Sequence, residues 1–245
     1  MKTDGGFTLI ELAVALVVVT LILGGLLVPL NTQVEQRKIS DTQKSLDEIK
    51  EALIGFAVAY GHLPCPATSA TGLASGLEGP RTGGICTPRT GFVPWATLGT
   101  SKLDAWGNIF GYRVSDNYSS AVSPITFTSS ADMTILTKDG TGAIAFLSNV
   151  NGTPAVVMSY GRNGYGSVND RGIAQALPAN WPANNADENS NATRLSADPP
   201  IRAGFVSRAP QADSASGAGG EFDDIVVWIS PSILFNRMVA AGRLP

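Results

Sequence analysis

The sequence predicts an α+β fold: one long N-terminal helix, then an antiparallel β-sheet, then a short C-terminal helix. Three observations predict it. An uncharged apolar run opens the chain and continues into a stretch with helical spacing. Short β-branched runs separated by Gly, Pro, Asn and Ser follow it. Ser230-Pro231, a helix-start pair with Ser as cap and Pro in the first turn, stands near the end. Helix first and strands afterwards is the order of an α+β chain rather than of alternating βαβ units.

From Leu12 to Leu30 no residue is charged. In helical geometry that run rises about 28 Å, close to the ~30 Å hydrocarbon core of a bilayer. A cleaved secretory signal predicts a shorter apolar core and an Ala-x-Ala-like site. Here the run ends at Val28-Pro29-Leu30 without one. Glu11 stands at its start, between Ile10 and Leu12. An ionised carboxylate in a membrane segment is a functional candidate by default, and a carboxylate at the interface that reaches water is the plain alternative.

Beyond the apolar run, Val34 or Ile39, then Leu46, Ile49, Leu53 and Phe56 recur at helical spacings, with Gln36, Lys38, Asp41, Lys44, Asp47, Lys50 and Glu51 on the other face. The pattern predicts one helix from Phe7 to Tyr60, about 80 Å long at 1.5 Å per residue. Gly24, Gly25 and Pro29 interrupt it, and kinking or local melting is expected at Pro29. Strands are expected at Ile109–Val114, Pro124–Thr128, Met133–Thr137, Ala143–Val150, Ala155–Tyr160 and Asp223–Ile229, and a last helix at Ile233–Ala241. Two stretches read as loops. One runs from Gly61 to Gly99, the other from 161 to 220. A loop as long as the second is either functional or a tolerated insertion.

Composition narrows the function classes. The 245 residues suit one ordinary domain plus a membrane segment. A formal net charge of -3 is not the footprint of a nucleic-acid binder. The only histidine, His62, leaves little room for a His-based metal site or a Ser-His-Asp triad. Ser159, Asp223 and His62 are the conceivable triad members, and they match no nucleophile elbow. No catalytic residue is expected.

The string Gly5-Gly6-Phe7-Thr8-Leu9-Ile10-Glu11-Leu12 resembles the processing site of type IV prepilins and type II secretion pseudopilins. The resemblance implies a leader, Met1 to Gly6. It is cut after Gly6 by a dedicated membrane peptidase, and the new N-terminal Phe7 is methylated. It also implies that Glu11 is the family's hallmark acid and meets the terminal amine of a neighbouring subunit. An unpaired buried carboxylate costs several kcal/mol, so such a pair would act as a register device. Residues 1–6 would then be leader, 7–30 transmembrane and assembly helix, 31–60 its amphipathic continuation, and 61–245 a pilin-like head. Implied partners are other pilin or pseudopilin subunits, the prepilin peptidase, an inner-membrane assembly platform and the lipid bilayer. Nucleic acid is not among them. The implied place is the bacterial inner membrane, single-pass, with the head in the periplasm and the filament there or at the cell surface.

Two further stretches resemble pseudopilins. Leu103-Asp104-Ala105-Trp106-Gly107-Asn108-Ile109-Phe110-Gly111-Tyr112 is similar to the segment that opens their sheet, and Ser159-Tyr160-Gly161-Arg162-Asn163-Gly164 is similar to a turn near their calcium loop. The resemblance makes Glu221, Asp223, Asp224 and Asn163 the candidate calcium ligands, with no other cofactor expected. Carboxylates and amide oxygens are the ligands that this cation takes. In the implied compartment Cys65 and Cys86 would form a disulfide. Two free buried thiols, or a zinc site with His62 that lacks a fourth ligand, are the alternatives. The expected function is a structural filament subunit. A ligand-binding tip adhesin and a membrane-tethered hydrolase are the rivals.

Overall fold

The computed structural model describes residues 6, 8–139, 141–148, 152–179, 185–196, 203–211 and 220–244, with the backbone alone for residues 22–30, 196 and 203. It divides into two compact units, residues 1–40 and 41–245. Helix α1 (Leu9–Tyr60) supplies the described part of the first unit and opens the second.

The backbone stays helical through Gly24, Gly25 and Pro29, so the melting expected at Pro29 does not occur in the isolated chain. Phe7 lies outside the described residues, and the helix starts at Leu9. Within the first unit every described side chain from Leu9 to Leu21 is exposed. Thr20 turns its hydroxyl back onto the carbonyls of Leu16 and Val17, so no free hydroxyl interrupts the apolar surface. Among the described residues, no helix is long and apolar enough to cross a membrane. The expected span Leu12–Leu30 has its second half in the residues whose side chains are not described.

The second unit is built around a four-stranded antiparallel sheet. Its strands are β3 (Thr90–Phe92), β4 (Gly111–Val114), β7 (Ala155–Ser159) and β9 (Ile225–Trp228), in the order β3-β4-β7-β9. The last strand stops at the start of helix α5 (Pro231–Ala240), where Pro231 occupies the first turn as its missing N–H allows. On one face of the sheet, Leu46, Ile49, Leu53 and Ala57 of α1 are fully buried against Tyr112, Val114, Val157 and Ile229, with Leu234 and Met238 of α5 closing the layer. The helical spacing of those α1 residues produces this stripe, and each large one contributes about 1.5–3 kcal/mol by leaving water.

The other face is also covered. Strands β5 (Met133–Lys138), β6 (Ile144–Phe146) and β8 (Ala203–Val206) form a second sheet, in the order β6-β5-β8. Met133, Ile135 and Phe205 from it, with Leu195 from helix α4 (Ala186–Ser196), pack on Val156, Met158 and Val226. Strand β7 is therefore buried on both sides, which is why it reads as an unbroken apolar run.

Four expectations are corrected here. The 161–220 stretch is not all loop, because it holds α4 and β8, and β8 pairs parallel to β5. The sheet system is thus mixed rather than purely antiparallel. The Gly61–Gly99 stretch contains β1 (Arg81–Thr82), β2 (Ile85–Cys86), β3 and the short helix α2 (Trp95–Leu98). Pro124–Thr128 is no strand: Ser129 N–H donates to the Thr126 carbonyl, and its Oγ accepts from the Thr126 N–H, closing a turn. A second short helix, α3 (Asp116–Ser119), follows β4 directly.

Candidate functional site

Two places carry chemistry. The first is the start of α1. Thr8 N–H donates to Glu11 Oε2 at 2.8 Å and Thr8 Oγ1 donates to the same oxygen at 2.9 Å. Glu11 N–H donates back to Thr8 Oγ1 at 3.3 Å. This is a capping box: a hydroxyl residue and a glutamate three positions on satisfy orphan helix donors reciprocally. It sets the helix start two residues after the Gly6-Phe7 bond. In the isolated chain Glu11 is thus a helix cap, exposed to solvent.

The second place is an acidic pocket in the second unit. Carboxylate oxygens of Glu188, Asp223 and Asp224 all lie within 4.8 Å of one another. Glu188 comes from the first turn of α4, and the two aspartates immediately precede β9. Asparagines orient the acids. Asn163 Nδ2 donates to both Glu188 oxygens at 3.2 and 3.0 Å, and Asn185 Nδ2 donates to Glu188 Oε2 at 3.0 Å and to Glu221 Oε2 at 3.2 Å. Asn191 Nδ2 donates to Asp224 Oδ2 at 2.9 Å. Backbone N–H groups of Asn163 and Asp223 donate to Asp223 Oδ2 and Glu188 Oε1 at 2.9 and 2.7 Å.

One atom is left over. Asp223 Oδ1 is buried and accepts no hydrogen bond. It lies against Gly161, whose φ is +64° and where a Cβ would stand 2.2 Å from that oxygen, so glycine is required on both counts. Burial, and then the neighbouring Glu188 and Glu221 carboxylates, push the Asp223 carboxyl up to about 7. Burial also raises Glu188, and it raises Asp224 well above the usual carboxylate range, with the adjacent acids adding to it. Crowded, partly desolvated carboxylates with an orphan oxygen fit a hard cation that takes only oxygen ligands.

The expected ligand set is redrawn. Asp223 and Asp224 both reach the cluster, because β9 begins only at Ile225 and the two acids need not alternate across a sheet. Asn163 presents its amide nitrogen, since its Oδ1 accepts the Tyr165 N–H at 3.0 Å. Glu221 stands beside the cluster, bonded to Asn185, and outside the group of three. Glu188, which the sequence reading did not single out, completes the group.

With this geometry in view, the family comparison bears on the first place. Residues 1–27 match the prokaryotic N-terminal methylation motif. That motif is the hallmark of the type IV prepilin and pseudopilin family. Its span covers the Gly6-Phe7 bond, the Thr8–Glu11 cap and most of the exposed apolar helix, and it ends well before the acidic pocket. No curated protein and no solved structure matches the chain.

The remaining candidates are placed as follows. Cys65 and Cys86 are joined, with sulfurs 2.04 Å apart. Beside them Arg81 donates to the carbonyls of Leu63 and Ser119 and to Glu78, while Glu78 Oε1 accepts the Cys65 N–H. His62 faces Arg81 and the Leu63 carbonyl, at 3.0 and 3.1 Å. Ser159 Oγ donates to Asp104 Oδ2 at 2.7 Å and accepts from Gly161 N–H. Among the described residues, Ser159, Asp223 and His62 share no hydrogen bond. The 103–112 segment folds as a turn closed by Leu103 and Ile109 that leads into β4, with Asp104 Oδ1 accepting the N–H groups of Trp106 and Asn108 at 2.9 Å each.

Proposed function

We propose that this chain is a structural subunit of a type IV pilus-like or type II secretion pseudopilus filament, and not an enzyme. The observation that carries the reading is the methylation motif at residues 1–27. Prepilin peptidase cuts the Gly6-Phe7 bond and the new terminus is methylated. The helix behind it sits in the bacterial inner membrane, single-pass, with the head in the periplasm. Residues Leu9, Ile10, Leu16, Val17 and Leu21 support this, since they stay 59–91% exposed on a helix that is apolar all round. Such a surface is stable only against lipid or against other apolar helices. On assembly Glu11 exchanges its cap with Thr8 for the methylated amine of a neighbour. An external motor and platform do the work, and other pilin subunits are the partners.

Intact mass spectrometry of the membrane-purified chain tests it. The expected mass is that of a chain beginning at N-methylated Phe7. Gly6→Ala should abolish cleavage and leave insertion intact. A chain that keeps residues 1–6 in a peptidase-competent host would sink the reading.

A second proposal concerns the head. The orphan Asp223 Oδ1 favours calcium at Glu188, Asp223 and Asp224, where it would neutralise the crowded carboxylates and tie α4 to the end of the acidic segment. Glu221 and Asn163 orient these ligands rather than join them.

A further inference from the structure

The head has two free strand edges of matching chemistry. In the β5–β6 pair, Asp139 N–H donates to Ala143 O and Leu147 N–H donates to Ile135 O. Antiparallel ladders alternate, so the backbone groups of Ile144 and Phe146 point away from β5. At β9, Ile229 N–H donates to Ala155 O, so by the same alternation Val226 and Trp228 point their backbone groups away from β7. Among the described residues nothing pairs with either edge.

The β6 edge is undefended. Strand β6 is exposed on both faces, with Ile144 59% and Phe146 70% accessible, and no charge lies between Gly142 and Ser148. Soluble proteins normally blunt such an edge with Lys, Pro or a bulge. A groove of about 250 Å³ runs along β9, walled by Val226, Val227 and Trp228 on one side and by Gln43, Asp47 and Lys50 of α1 on the other. An unpaired sheet edge accepts an added strand through main-chain hydrogen bonds.

We propose that β6 of one copy adds to β9 of the next, antiparallel, with Ile144 opposite Trp228 and Phe146 opposite Val226. This register joins all the outward backbone groups and forms two aromatic–aliphatic cross-strand pairs, a favourable type. It also fits the volumes. Val227 packs with the α1 layer and Val226 with the opposite one, so Ala145, the small residue of β6, meets the α1 side, while Ile144 and Phe146 extend the layer that Val226 and Trp228 join. Because the two edges differ, the contact is heterologous and repeats without closing unless the rotation makes a ring. It deepens the filament reading, and it supplies that assembly with a contact between heads.

Cysteine cross-linking of full-length chains in membranes tests it. Residues opposite each other as a hydrogen-bonded pair have Cα atoms about 5.5 Å apart, within disulfide reach. Chains carrying Ile144→Cys and chains carrying Trp228→Cys, co-expressed and mildly oxidised, should give a mixed dimer that neither variant forms alone. Adding Ala145→Lys, on a side chain exposed in the single chain, should abolish that dimer while the head's melting temperature holds. An equal dimer from Ile144→Cys alone would replace the proposal with a β6–β6 pair. No dimer from chains that mature at Phe7 and yield sheared filaments would overturn the pairing and leave the filament reading standing. A mixed dimer from uncleaved chains that form no filament would do the reverse.

Discussion

Leu9–Leu21 and Thr42–Ala57 belong to one helix but hide their apolar surface in different ways. In the second segment Leu46, Ile49, Leu53 and Ala57 are wholly buried against the chain's own sheet, and Thr42 is buried where its hydroxyl accepts the Ala105 N–H. In the first, Leu9 is 91% and Leu21 72% exposed, and nothing among the described residues covers them. The second segment alternates stripe and charge, the pattern of a helix lying on a globular layer, and the first has apolar residues all round, the pattern of a helix wanting an apolar solvent. The difference teaches that the head buries its own apolar surface, whereas the first segment leaves its apolar surface for something outside the chain to cover.

The sharpest way to break this comparison is a matched pair of truncations. Leu53→Ala should destabilise the head by about 2–5 kcal/mol in chemical denaturation, as cavity-forming core changes do. Leu16→Ala should leave that stability within about 0.5 kcal/mol, as for a surface change. Equal effects would mean that the two halves are not energetically separate. Next in size, Cys65→Ser with Cys86→Ser should cost about 3 kcal/mol of head stability, because the bridge closes a loop whose ends are 21 residues apart.

The acidic pocket should give a smaller, pH-dependent effect. Asp223 has its carboxyl raised to about 7 in the folded head, against an unfolded value near ~4. The folded state therefore holds the extra proton, and by linkage the stability is fullest below about pH 4 and falls as pH rises through about 7. Raised Glu188 and Asp224 act in the same direction. Melting temperature in chelator should thus decline across that window, and calcium should raise it more at pH 7.5 than at pH 5. A calcium effect equal at the two pH values, or absent, would leave the pocket a purely structural acid cluster.

The smallest effect on the head is expected from Glu11→Gln. A glutamine can complete a capping box, so helix start and head stability should not move. On the proposed pairing with a neighbour's amine, filament incorporation should fall, because the charge that would make the pair is gone. Incorporation equal to that of the unaltered chain would make the cap the whole role of Glu11.

Much of this was legible from residue order. The helix end at Tyr60 followed from Gly61, and β7 and β9 followed from β-branched apolar runs. Helix α4 was hidden for a physical reason. Its sequence, Ala-Asp-Glu-Asn-Ser-Asn-Ala-Thr-Arg-Leu-Ser, has almost no apolar periodicity, because it docks through buried polar groups. Asp187 pairs with Lys138 and Arg208, and Asn191 bonds both ways with Val206 of β8. A pattern search for apolar stripes cannot see a helix held by such contacts.

The sequence by itself determined the motif-bearing segment. There the chemistry is local: a Gly-Phe bond, an acid at fixed spacing and an uncharged run are contiguous along the chain. Only the tertiary structure decided the acidic pocket and the two open edges. Glu188 and Asp223 are 35 positions apart, and they meet because β8 pairs with β5 and draws α4 over the sheet. The outward edges of β6 and β9 likewise exist only once each strand has chosen its one neighbour. That choice depends on which faces the helices have already covered, and no short window of residues encodes it.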